Sequence, residues 1–234
     1  AFKPLVYAAA FDRNFTPASV IVDEPISYKD NGRVWSPQNF DKKYHGPTSL
    51  REALVQSRNV VTVRLAERIG LNYLTGYLPR FGLPGPIPRN LSISLGTLEV
   101  TPMELAVAYS TFANNGQRAT PVMVTEISDG EGQVLERNEP QLTQVLPPTT
   151  AYQMTSILQD VVRRGTGTAA KGLAQPTAGK TGTTNDLEDA WFVGYTPQLA
   201  VAVWVGYPDA LKPMLTEFGG KPVAGGTLPA EIWK

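Results

Sequence analysis

The sequence predicts a mixed α/β fold of the α+β kind, a three-layer αβα sandwich around an antiparallel sheet joined to an all-helical subdomain. Runs with helical periodicity and capping signals occupy about residues 1–170, and strand-like runs follow at 178–184, 190–195 and 199–206. The turns between those runs, at Asn185-Asp186 and Thr196-Pro197-Gln198, are short enough that only antiparallel neighbours fit. The run 199–205 is apolar at both alternating sets of positions, so that strand is expected to be covered by helices on both faces.

Residues 1–11 read as an apolar helix already under way: no capping residue precedes them, and they lack the charged start of a signal peptide. The start of the chain is therefore expected to be a cut edge. Residues 12–47 are loop-rich, punctuated by Pro17, Pro25, Pro37 and Pro47, with short strand-like pieces such as 19–22. Ser49 and Glu52 stand in capping-box spacing, with Leu50, Ala53 and Leu54 on one helical face. A second helix is expected over 59–69, stopping at Gly70, so Ser57-Arg58-Asn59 forms the corner between the two. Thr101-Pro102-Met103-Glu104 starts another helix, with Leu105, Ala108, Tyr109 and Phe112 facing inward. Residues 122–137 form a hairpin around Asp129-Gly130-Glu131-Gly132. Thr150 and Gln153 read as the cap of a helix that buries Met154, Ile157, Leu158 and Val161 and ends near Gly165.

Composition removes several classes of function. The 234 residues carry 21 Lys and Arg against 21 Asp and Glu, and no segment clusters the cations needed to grip nucleic acid. The longest apolar stretch, 199–207, is about half of the roughly 18 residues that a membrane-spanning helix needs. There is no cysteine, which excludes thiol nucleophiles, thiolate metal sites and disulfides. The single histidine, His45, precedes Gly46-Pro47 in a polar stretch and reads as a loop residue rather than a catalytic base. Proton transfer would then fall to a lysine or a carboxylate, and no metal or cofactor is expected.

Three short patterns could carry chemistry. Lys180-Thr181-Gly182-Thr183-Thr184 opens the first strand of the sheet and could cradle an anion, with Gly182 admitting a ligand close to the backbone. A backbone N–H at such an edge could pair with an extended substrate or polarise a carbonyl. Equally, the segment could be an ordinary strand start with a glycine bulge. Ser57-x-Asn59 could simply be a helix corner in which Asn59 caps the second helix, or it could project a hydroxyl and an amide toward Lys180. Lys3 could be a solvated helix end; if buried near Lys180, it would lose its proton readily and could serve as a base.

Together these patterns resemble the penicillin-recognising serine enzymes, in which Ser-x-x-Lys, Ser-x-Asn and Lys-Thr-Gly occur in this order. The surrounding text is similar to the transpeptidase domain of class A penicillin-binding proteins. It includes Phe2-Lys3-Pro4-Leu5-Val6-Tyr7, Trp35-Ser36-Pro37-Gln38-Asn39 and Leu50-Arg51-Glu52-Ala53-Leu54. It continues through Leu95-Gly96, Thr101-Pro102-Met103-Glu104-Leu105-Ala106, Gly165-Thr166-Gly167, residues 179–184 and Trp191-Phe192-Val193-Gly194-Tyr195.

The resemblance implies a β-lactamase/transpeptidase-like fold truncated at both ends: two strands are expected before residue 1 and a closing helix after Lys234, with the sheet strands at about 178–207. It also places the nucleophilic serine one residue upstream of Ala1, either cut away or modified and so missing from the sequence as written, and the literal chain is expected to be inactive. The implied activity is a serine D,D-transpeptidase acting on peptidoglycan stem peptides and acylated by β-lactam antibiotics. Lys3, Ser57, Asn59 and Lys180 would be catalytic; Thr181, Gly182, Thr183 and Thr184 would bind substrate. Lys180 sits on the strand face opposite Thr181 and Thr183, so its stem would have to reach back toward Ser57. The resemblance further implies an upstream glycosyltransferase domain, a membrane anchor outside this chain, and a site on the extracytoplasmic face of the bacterial membrane. A β-lactamase, a D,D-carboxypeptidase and a non-catalytic sensor of the same fold remain as alternatives. The nearest approach to the lactamase Glu-x-x-Leu-Asn pattern, Glu67 with Leu71-Asn72, has one residue too many.

Overall fold

The computed structural model describes residues 1–30 and 33–234; residues 31–32, inside the loop-rich stretch, lie outside the described residues. Helix α1 (Lys3–Phe11) carries Pro4 in its first turn and is buried along its whole length, which its run of apolar residues requires. Strands β1 (Val20–Asp23), β2 (Tyr28–Asp30), β3 (Arg33–Trp35) and β4 (Gly46–Ser49) make two small antiparallel ribbons, β1 with β4 and β2 with β3. Helix α2 (Leu50–Val55) begins where Ser49 Oγ accepts from the Glu52 N–H at 3.2 Å, one half of the expected capping box. Helix α3 (Asn59–Ile69) has the expected limits and stops at Gly70, whose φ of +87° suits glycine. Helix α4 (Leu71–Tyr77) follows directly.

Helix α5 (Pro102–Ala113) carries the full reciprocal cap between Thr101 and Glu104. Strands β5 (Gln117–Ala119) and β8 (Leu142–Gln144) pair and enclose the expected hairpin, β6 (Glu126–Ser128) with β7 (Val134–Arg137). Helix α6 (Pro148–Arg164) corrects one expectation. It starts two residues before Thr150, because Pro148 presets the first turn, and Pro147 stands at the cap. Thr150 is thus free to donate its hydroxyl to Asp12 at 2.8 Å, tying α6 to the end of α1.

The main sheet consists of β9 (Ala178–Thr183), β10 (Asp189–Tyr195) and β11 (Ala200–Gly206), antiparallel in the order β11-β10-β9. Val193 pairs with Lys180 on one side and Ala202 on the other, so these three share a face, as do Tyr195, Ala178 and Ala200. That face joins the main core with α1, α5 and α6. The opposite face, with Phe192, Val201 and Val203, packs on Ala230 and Trp233 of helix α7 (Leu228–Trp233) and on Val162 and Ala170. These are the three layers the sequence predicts.

Three expectations need amending. Helices lie on both faces of β11, yet the strand is the sheet's edge among the described residues and stays partly exposed, with Leu199 just before it 63% accessible. The covering helix begins at Leu228 rather than wholly beyond Lys234. Residues 1–170 are helical at their core but carry four two-stranded ribbons, since the turn-rich stretches pair locally.

Candidate active site

Lys3 enters the site because it sits in the first turn of a helix that the core encloses. Only 7% of the residue is accessible. Ser57 lies at the corner between α2 and α3 in a left-handed conformation, φ +57°, which costs a non-glycine residue on the order of 1 kcal/mol. The corner is held by Ser57 N–H donating to Leu54 O at 3.2 Å and Arg58 N–H donating to Ala53 O at 2.8 Å. This reversal aims three acceptors at one point. Lys3 Nζ occupies it, donating to Ser57 O at 2.6 Å, Ser57 Oγ at 3.1 Å and Asn59 Oδ1 at 2.5 Å.

Burial, reinforced by the charges of Lys180 and Arg58, holds the Lys3 amine well below the ordinary lysine range. Burial likewise pushes Lys180 down to about 7. The site therefore holds two amines that can be neutral where an ordinary lysine is charged, one of them already bonded to a serine hydroxyl.

Strand β9 supplies the other half. A cleft of about 440 Å³ is lined by Lys3, Ser57 and Asn59 from the helical block and by Thr181, Gly182 and Thr183 from β9. Gly182 is required by proximity, since a Cβ there would collide with the main-chain N of Ala1 and crowd Trp191. The Ala1 amine donates to Thr181 O at 3.0 Å, which docks the start of α1 on the strand. Thr181 Oγ1 lies 2.7 Å from Thr166 Oγ1. Thr183 Oγ1 accepts from Gly225 N–H at 2.9 Å, leaving its own proton to donate.

Two predicted residues stand elsewhere. Lys180 lies on the inward face as alternation requires, but its fully buried amine turns back to Thr181, donating to O and Oγ1 at 3.2 Å each, rather than to Ser57. It acts on Lys3 through its charge and does not line the cleft. Thr184 is exposed; its Oγ1 accepts from the Glu188 and Asp189 N–H groups at 2.9 Å, closing the β9–β10 turn, and it too is outside the cleft lining. His45 lies on a loop with Nε2 3.0 Å from Asp41. The bland alternative for Asn59, that its side chain caps α3, does not hold: that side chain bonds Lys3 instead, and helix α3 has no side-chain cap from its own first residues.

The cleft also uses residues that sequence reasoning did not single out: Asn39, Phe40, Thr166 and Asn185. Asn39 and Thr166 do fall in stretches that carry the family resemblance, which was the available signal. Among the described residues no cluster of three or more His, Asp or Glu is placed to hold a metal ion.

A buried lysine bonded to a Ser-x-Asn corner, facing a Lys-Thr-Gly strand across a cleft, is the motif arrangement of the penicillin-recognising serine enzymes. Residues 1–224 match the penicillin binding protein transpeptidase domain, and the chain belongs to that family. It is 43% identical to penicillin-binding protein 1A of Neisseria lactamica over 242 residues, covering 99% of this chain and 30% of that protein. Against penicillin-binding protein 1A of Pseudomonas aeruginosa the identity is 36%, over all of this chain and 34% of the relative. The chain thus spans about a third of the length of these relatives. Among solved structures, penicillin-binding protein 1A from Haemophilus influenzae superposes with a TM-score of 0.85 at 28% identity, covering 99% of this chain and 40% of that one. The PonA1 protein from Mycobacterium tuberculosis in complex with penicillin V gives a TM-score of 0.87 at 27% identity, covering all of this chain and 66% of that one.

Proposed function

We propose that this chain carries most of the acyl-transfer centre of a serine D,D-transpeptidase that cross-links peptidoglycan stem peptides and is acylated by β-lactams. The observation that supports it most is the Lys3 amine, buried, kept below its usual pKa, and within 2.5 to 3.1 Å of Ser57 and Asn59. The nucleophile would be a serine immediately before Ala1, whose main-chain N already lies against β9 at the cleft.

In this reading the serine oxygen bonds to the carbonyl carbon of the penultimate D-alanine while its proton passes to Lys3 Nζ. The Thr183 N–H and the N–H of the serine would stabilise the oxyanion, each such donor being worth about 10²–10³ in rate. Collapse breaks the C–N bond, and the terminal D-alanine departs with a proton relayed through Ser57. An amine of a second stem peptide then displaces the serine. Asn59 would hold Lys3 and the substrate amide; Thr181 and Thr183 would bind the terminal carboxylate, with Lys180 adding positive potential from behind. Thr184 would contribute through the turn it closes rather than by contact. The strained amide beside the carboxylate of a β-lactam imitates the same peptide end.

Such a substrate lies outside the cytoplasmic membrane, so we place the domain there. No helix of the described residues is long and apolar enough to cross a membrane, and an anchor and glycosyltransferase domain would come from the rest of a longer protein. The test is mass spectrometry of the full-length protein after exposure to a penicillin, followed by an assay of D-alanine release with an amine acceptor. A long-lived adduct on the serine preceding Ala1, with product diverted to the acceptor, is the expected result. No adduct, or an adduct elsewhere, overturns the proposal. Rapid loss of the adduct would mark a β-lactamase, and no diversion a carboxypeptidase.

A further inference from the structure

At the wall of the cleft and just behind it lie two buried polar side chains with no part in the acyl transfer. Asp23, at the end of β1, is 1% accessible, and Asn39, in the loop after β3, is 3% accessible. Asn39 Nδ2 donates to Asp23 Oδ1 at 2.9 Å, to Asp23 Oδ2 at 2.8 Å and to Lys43 O at 2.8 Å. Asp23 Oδ2 also accepts from His45 N–H at 3.2 Å. On its other side, Asn39 Oδ1 accepts from Asn59 N–H at 2.8 Å and Val60 N–H at 3.3 Å.

Those two N–H groups are the first of α3, and Arg58, at the cap position, contributes no side-chain cap. Asn39 therefore caps the helix from a distance of 20 residues along the chain. The consequence falls on Asn59. Its side chain, relieved of capping, bonds Lys3 through Oδ1, while Nδ2 donates to Gln38 O at 2.8 Å. Residues 38 and 39 thus grip Asn59 by side chain and backbone together. An asparagine amide can face either way round, and a carboxylate that only accepts hydrogen bonds selects the orientation with Nδ2 toward Asp23 and Oδ1 toward α3.

We propose that Asp23 and Asn39 form a positioning pair that fixes Asn59, and through it the Lys3 amine, in the geometry needed for proton transfer. The proposal rests on the transpeptidase reading and adds to it a pair that does not act on substrate: Asn39 borders the cleft with both side-chain polar atoms already engaged, and Asp23 does not line it. Misplacing a reacting group by about 1 Å costs on the order of 10² in rate. Loss of the pair should therefore act on the acylation step and leave the reversible binding of the ligand nearly intact.

The test is stopped-flow acylation of the full-length protein by a penicillin, resolving the acylation rate constant from the dissociation constant of the non-covalent complex. Asp23→Asn should lower the rate constant by about 10 to 100-fold while the dissociation constant changes less than about threefold. The double exchange Asp23→Asn with Asn39→Asp should recover part of the rate. The amide at position 23 can donate to the carboxylate at 39, which still accepts from Asn59 and Val60, whereas Lys43 O loses its donor and faces a carboxylate oxygen, so the recovery is incomplete. An unchanged rate constant in Asp23→Asn, or equal loss of rate and binding that the double exchange fails to rescue, overturns the proposal. If wild-type protein forms no adduct, the transpeptidase reading fails instead. Hydrogen exchange at the Asn59 and Val60 amides of this chain then decides the pair on its own. Asp23→Asn should speed exchange at least about tenfold, and unchanged exchange rejects the pair.

Discussion

Replacing Lys180 by methionine should make the protein more stable in acid and neutral solution while harming the site. Burial brings the Lys180 amine from the ordinary 10.5 down to about 7. That gap corresponds to a folding penalty of about 5 kcal/mol, borne by the native state whenever the unfolded lysine is charged. The penalty is complete below pH 7, where folded and unfolded chains both hold the proton. Between about 7 and 10.5 the unfolded chain binds a proton that the folded chain does not, so wild-type stability climbs by about 1.4 kcal/mol per pH unit. Methionine fills a similar volume with no charge. Against the gain stands the loss of two bonds to Thr181, about 1 kcal/mol each; Thr181 O keeps the Ala1 donor and Oγ1 keeps Thr166. The balance is about 3 kcal/mol in favour of Lys180→Met at pH 6, or roughly 6–12 °C in Tm for a domain of this size. The two proteins should be equally stable near pH 9. Chemical denaturation of the 234-residue chain between pH 6 and 10 measures this directly. A variant less stable than wild type at pH 6, or a difference that does not shrink as pH rises, would refute the reasoning.

Two further outcomes follow from the site. In the full-length protein, acylation by a penicillin should rise with pH along a limb set by Lys3, below the range of an ordinary lysine. Because the Arg58 charge helps to depress Lys3, Arg58→Gln should move that limb to higher pH; a limb unmoved by the change would detach Lys3 from the rate. Ser57→Gly should relieve about 1 kcal/mol of left-handed backbone strain but lose the Lys3 bond to Ser57 Oγ, worth about as much, so thermal unfolding should be nearly unchanged, while removing the hydroxyl lowers acylation by about 10²-fold. Unimpaired acylation in Ser57→Gly would exclude the hydroxyl as the proton relay.

Helix limits were legible wherever local chemistry settles them. Gly70 ends α3 because no other residue adopts its backbone cheaply, and Thr101 with Glu104 caps α5 through groups three positions apart. Strand pairing was legible because the β9–β10 and β10–β11 turns are short. The cap at Thr150 misled because Pro148 makes an equally good first turn two residues earlier, and the partner that recruits the Thr150 hydroxyl, Asp12, is distant in sequence. In the site, alternation told which face Lys180 takes, but not that its long stem folds back on Thr181. Thr184 shares its composition with Thr183, yet it lies past the end of β9, where a hydroxyl meets turn amides first. Asn39 was invisible to periodicity and capping rules alike, since it caps a helix from a loop with irregular backbone.

Helix α1 sets the position of the Lys3 amine. Its side chains are enclosed from end to end, so the amine at its first turn cannot drift without dragging the centre of the molecule along. The rim across the cleft is of opposite character: Phe40 is 69% accessible, and Asn185 sits exposed in the turn leaving β9. The Lys3 amine is thus held on a fully packed spine, while the facing border is open to solvent and its side chains can change with little cost to the core. Sequence drift among kindred proteins should accumulate at that border first and alter which molecules are accepted long before it alters what is done to them.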